Sequence, residues 1–107
     1  MHGNTPYAGR EKLDVSPERR RALRRELTNV ATSTRALLPD DFLVGGEISD
    51  GADGPRATVA VRPPSGSVVS TGFGYDEDAD PTTLAQELAA GAVIEARRSA
   101  DVAQTAS

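Results

Sequence analysis

Residues 18 to 26 read ERRRALRRE, five arginines within nine positions. Guanidinium forks at that density match phosphate oxygens in both charge and geometry. Arg20 and Arg24 stand one helical turn apart, as do Arg21 and Arg25, so a helix carries these four around its outer turns. They form the candidate nucleic-acid contact. Two effects oppose it: cations near a helix N-terminus work against the helix dipole, and Glu18 and Glu26 offer local partners. The competing explanation is the solvated side of an ordinary amphipathic helix.

A second charged cluster is DEDAD at 76–80, followed by Glu87. Asp76, Asp78, Asp80 and Glu87 fall at positions 1, 3, 5 and 12 of a calcium loop of the EF-hand kind. The sixth position of such a loop has to be glycine, and here it is Pro81, whose φ is fixed negative. The stretch therefore reads as an acidic helix entry with Asp80 as the cap, and no metal ligands are assigned. Nucleophilic catalysis lacks its parts. The sole histidine is His2, the sole lysine is Lys12, and cysteine is absent. Nothing in the predicted folded part activates a serine or threonine, and thiolate chemistry and cysteine-held metals are excluded. GEISDGADG lacks the lysine of a phosphate loop. No catalytic residue and no cofactor follow from this chain.

The elements that position these residues are legible from period and punctuation. Ser16, Pro17 and Glu18 give a helix start, with a hydroxyl cap followed by proline at the first helical position. Leu23, Leu27, Val30, Thr34 and Leu37 or Leu38 then recur at spacings of four and three, up to the stop at Pro39. DDFLVGGEIS (40–49) alternates as a strand with a glycine-softened middle. DGADGP (50–55) is a turn, and RATVAVR (56–62) alternates cleanly. PPSG (63–66) joins it to SVVSTGFGY (67–75) as an antiparallel hairpin. A second helix opens at Asp80–Pro81 and runs through Arg97 and Arg98, with Leu84, Ala85, Leu88, Ala89, Ala92 and Ala96 as its buried stripe and Ile94 off it.

The predicted fold is α+β, a two-layer αβββα arrangement of a three-stranded antiparallel sheet with two helices packed on one face. Residues 1–14 read as a flexible N-terminal tail, 15–99 as a single domain, and 100–107 as a flexible C-terminal tail. The αβββα order is shared by double-stranded-RNA-binding domains. There the second helix begins with phosphate-gripping lysines, whereas here the corresponding place holds Asp76, Glu77, Asp78 and Asp80. The opposite sheet face is expected to show Thr58, Ala60, Ser70 or Thr71 and an arginine. It is small, flat and mildly polar, suited to cover by a second copy.

Composition narrows the setting. Leu, Ile, Val and Phe number 21 of 107 residues, close to the roughly 20% below which charged chains stay disordered, so the core is thin. Sixteen alanines let elements approach closely at little entropic cost. Eleven arginines stand against one lysine, under an excess of carboxylates that sets the formal charge at -4. That is the balance of a high-GC organism living in salt, where an acidic surface keeps proteins solvated. In multimolar salt, the screening length of about 3 Å or less also removes most phosphate affinity. No apolar run spans a membrane and MHGNTPYAG is no signal peptide, so the expected location is cytoplasmic.

NTPYAG at 4–9 and, more specifically, LVGGEISDGADGPRATVAVRPPSGSVVSTGF at 43–73 resemble a family of small uncharacterised proteins of halophilic archaea. The resemblance implies a salt-loving host and a domain with no assigned activity, and it carries no functional residues over. The reading that ranks first is a noncatalytic domain that associates with itself or with another protein. An RNA-binding module using the arginine-rich first helix ranks second.

Overall fold

The computed structural model describes residues 16–52, 54–74 and 80–106. Helix α1 spans Ser16–Ala36. Leu23, Val30 and Thr34 fall on one stripe and are buried, and Leu27 packs partly buried beside them. The helix closes through Leu37 N–H to the Thr34 carbonyl at 3.0 Å and Leu38 N–H to the Arg35 carbonyl at 3.2 Å, just before Pro39. Thr34 is the one buried polar side chain among the described residues. Its hydroxyl donates to the Val30 carbonyl at 2.6 Å, so it needs no partner outside its own helix.

Strands β1 (Leu43–Gly51), β2 (Gly54–Arg62) and β3 (Val69–Gly74) form one antiparallel sheet in the order β1-β2-β3. Helix α2, Pro81–Ala106, follows. The architecture is αβββα and α+β, as the sequence pattern predicts. Ala57, Val59 and Val61 of the central strand are fully buried, and this is the face both helices cover. Leu27 of α1 lies against Gly46, the register partner of Val59. Gly91 of α2 lies against Val69, the register partner of Val61.

Among the described residues the core holds twelve buried apolar side chains, five of them alanine. Alanine brings the layers close while contributing little apolar area of its own, so most of the hydrophobic stabilisation rests on Leu23, Val30, Val59, Val61, Phe73 and Leu88. Of the predicted α2 stripe, Ala85, Leu88, Ala89 and Ala92 are buried, whereas Ile94 is 63% exposed.

Four boundaries differ from the sequence reading, one of them the third strand, which begins at Val69 and not at Ser67. The first strand begins at Leu43, because residues 40 and 41 belong to the turn after α1 and the Phe42 N–H bonds back to the Pro39 carbonyl at 3.1 Å. The first two strands pair further into 50–55 than the sequence suggests: Asp50 pairs with Pro55 and Gly51 with Gly54. Helix α2 continues to Ala106, past the tail expected from residue 100. Nothing after Arg98 stops it, since SADVAQTA contains neither glycine nor proline and includes three alanines. The expected tail at 1–14 lies outside the described residues.

Candidate association face

Side chains alternate across a strand, and directly paired residues share a face. With Ala57, Val59 and Val61 turned to the helices, Thr58 and Ala60 look outward. Their neighbours there follow from the register: Glu47 and Gly72 beside Thr58, Gly45 and Ser70 beside Ala60. Arg56 and Arg62 stand at the two ends of the same row of β2. Among the described residues no other element covers this side.

Three of the four residues expected on the open face are therefore brought together: Thr58, Ala60 and Ser70. The fourth, Thr71, pairs with Val59 and lies on the helix-covered face, half-buried. The sequence left Ser70 and Thr71 as alternatives because SVVSTGF alternates equally well in either phase. Phe73, only 4% exposed, decides it, since burying that ring turns Thr71 inward with it. Leu43, 62% exposed, pairs with Arg62, and Val68, 53% exposed, continues the register on the other side of that arginine. The arginine expected on this face is matched by Arg62, in the same phase as Thr58 and Ala60, whereas sequence reasoning passed over Leu43, Glu47 and Val68 as members of it. Their signal was the strand parity itself, which fixes position 47 opposite to 44 and 48.

The arginine cluster is divided. Arg20 turns toward the sheet and forms an ion pair with Asp50 of β1. Both side chains are well exposed, so the pair contributes at most about 1 kcal/mol. Arg21, Arg24 and Arg25, with Thr28 and Asn29, line an open hollow on the outer side of α1. All five belong to α1, which packs on the helix-covered side of the sheet and not on its bare face. Arg35, at the other end of α1, donates from Nη2 to the Val44 carbonyl at 3.1 Å, which occupies part of the free edge of β1. The geometry thus separates Arg20 from the other three and does not favour a common phosphate strip.

The acidic loop has one described member. Asp80 caps α2: its carbonyl accepts from Leu84 N–H at 2.9 Å, and its carboxylate accepts from Thr82 N–H at 3.3 Å and the Thr83 hydroxyl at 2.9 Å. Asp76, Glu77 and Asp78 lie outside the described residues, as do His2 and Lys12. No group of three or more His, Asp or Glu gathers among the described residues. A half-open cleft of ≈ 280 Å³ at the α1–β1 corner includes Arg35, Asp40, Phe42 and Leu43.

Glu95 of α2 ties the β2–β3 loop to the helix. It accepts from Ser67 N–H at 2.8 Å and from the Arg98 guanidinium at 3.0 Å, while Ser65 and Ser99 share a hydroxyl contact at 2.5 Å. Gly66, at φ +101°, lies so close that a Cβ there would stand 2.7 Å from the Glu95 carboxylate. The Ser67 N–H first, then Arg98, holds the Glu95 carboxyl below its ordinary pKa. A carboxylate with a depressed folded-state pKa stabilises the fold above its unfolded-state value of about 4.3, and that stabilisation is lost as pH falls through the folded value. Thermal melts between about pH 6 and pH 2 test this: wild type loses melting temperature more steeply below pH 4.3 than Glu95→Gln. Parallel curves for the two would contradict it.

A model for a family of unknown function, DUF5811, matches residues 15–107. The chain belongs to that family. No curated protein and no solved structure matches it. The DUF5811 match covers every element of the αβββα fold and assigns no activity to any of them. No helix among the described residues is long and apolar enough to cross a membrane.

Proposed function

We propose that this DUF5811 chain is a noncatalytic domain that works by association, with a protein surface seated on the bare face of its sheet. The observation that carries the reading is the one-sided packing of the helices. Both lie against Ala57, Val59 and Val61, leaving Thr58, Ala60 and Ser70 outward in a flat patch bounded by exposed Leu43 and Val68. A thin, alanine-rich core supports it as well, because a partner that binds only the folded form adds stability by mass action. We place the domain in the cytoplasm of a salt-loving host. The eleven-to-one ratio of arginine to lysine and the surplus of carboxylates support that setting.

Sedimentation velocity over micromolar concentrations tests the self-association form of this reading. The wild-type chain is expected to sediment increasingly as a species larger than one chain. Ala60→Arg, which plants a long cation in the middle of the flat patch, is expected to remain a monomer with an unchanged melting temperature at low concentration. A wild-type chain that stays strictly monomeric would remove self-association.

A further inference from the structure

The charges of the open face are arranged so that one copy of the chain complements another. Glu47 stands on β1 beside Thr58, and Arg62 ends the β2 row beside Leu43. Neither has an ion-pair or hydrogen-bond partner among the described residues. They are four positions apart along the strands, about 14 Å at roughly 3.4 Å per residue, too far to meet within one chain. Leu43 and Val68, two of the exposed large apolar side chains, flank Arg62. Together these make a face with an unpaired anion, an unpaired cation and an apolar rim, which is the make-up of a self-complementary contact.

We propose that a second copy of this chain docks face to face on this surface, antiparallel, about a two-fold axis that crosses the strands at the row Gly45–Ala60–Ser70. The proposal rests on the association reading above and adds the partner and the geometry. The charges select the axis. Were it to run along β2, Arg62 would lie over Arg62 of the second copy and Arg56 over Arg56. An axis crossing at the Thr58 row sets Glu47 over Glu47, and one crossing at Val59 again sets Arg62 over Arg56. Each of these places like charges in a desolvated contact.

A crossing at Ala57 would set Glu47 against Arg56 but would leave Leu43, Arg62 and Val68 beyond the end of the other sheet; the crossing at Ala60 brings opposites together with these residues inside the contact. The row holding Glu47 then lands on the row holding Arg62, so the Glu47 carboxylate of each copy meets the Arg62 guanidinium of the other. The pair occurs twice, because a two-fold contact repeats every interaction. In the same arrangement Val68 lands over Gly72 of the second copy, where the Thr58 hydroxyl and the Arg56 guanidinium lie alongside the glycine. Aligned sheets pack about 10 Å apart, a gap that a glutamate and an arginine side chain span between them.

Charge exchange tests this, because a symmetric pair can be broken by one substitution and restored by the second. Sedimentation equilibrium of the full chain at about 0.1 M salt, where the screening length is about 10 Å, would compare wild type, Glu47→Arg, Arg62→Glu, the double exchange and Ala60→Arg. Wild type is expected to dimerise, each single exchange to weaken dimerisation at least tenfold, and the double exchange to return it to within about threefold of wild type. Coincident circular dichroism spectra show that all five are folded. A double exchange no tighter than the singles, with Ala60→Arg still dissociating the dimer, overturns the Glu47–Arg62 geometry and leaves association through this face standing. A dimer that survives Ala60→Arg overturns both, as does a wild-type monomer.

Discussion

Leu23→Ala is expected to cost the fold about 3 kcal/mol and to lower its melting temperature by about 15 °C. Leu23 is 1% exposed on the inner stripe of α1, in a core where, among the described residues, five of twelve buried apolar side chains are already alanine. The loss has two parts: the transfer free energy of the deleted atoms and the cavity that the surrounding side chains fail to fill. Few neighbours here can collapse into the gap. Val30, Val59 and Val61 are β-branched and stiff at χ1, and the alanines have nothing to extend. Because small domains are stable by only about 5 to 15 kcal/mol, the change removes a large fraction of the total. Ile94→Ala is the control, since that side chain is 63% exposed on α2 and its loss should stay within about 0.5 kcal/mol. Urea unfolding followed by circular dichroism separates the two, and equal midpoints would show that the core lies elsewhere.

The contrast between Leu23 and Ile94 was legible before any coordinates, because both follow from helical period. Spacings of four and three put Leu23, Val30 and Thr34 on one stripe, and the same rule left Ile94 outside its own. The clean alternation of RATVAVR likewise separated Ala57, Val59 and Val61 from Thr58 and Ala60, and the αβββα order followed from punctuation at Pro39, PPSG and Pro81. What the one-dimensional pattern withheld was phase and company. Ser70 and Thr71 are equally suited to either face, and only pairing with β2 turned Thr71 inward. Arg20, Arg21, Arg24 and Arg25 read as one cluster, yet their angular positions on α1 send Arg20 toward Asp50 and the other three to solvent. That Asp50 stands within reach of Arg20 depends on a strand running back along α1, a contact thirty residues apart in sequence. The end of α2 was misjudged for a different reason: polar composition suggested a tail, while the absence of any helix stop allowed the helix to continue.

Two neighbouring glycines of β1 should respond to the same substitution with opposite sign. Gly46 is on the helix-covered face, and a Cβ built there meets Leu27 Cδ1 at 2.6 Å, Leu27 Cγ at 3.2 Å and the Thr58 carbonyl at 3.2 Å. Gly45, one residue earlier, is on the open face, where a Cβ meets nothing within 4 Å. Gly46→Val is therefore expected to cost about 2 to 3 kcal/mol, as overpacking forces α1 and β1 apart. Gly45→Val relieves the entropic cost of glycine in a strand and adds a β-branched side chain, for a gain of up to about 1 kcal/mol. Urea unfolding at submicromolar concentration, where each chain folds alone, reads both. The cause of the Gly46 penalty can be isolated by a double-mutant cycle. Most of the overlap is with the flexible end of Leu27, so Gly46→Ala and Leu27→Ala together should destabilise less than the sum of the two singles. Strict additivity would locate the obstruction at the Thr58 carbonyl instead, in the spacing of β1 from β2 and not in the seat of α1 on the sheet.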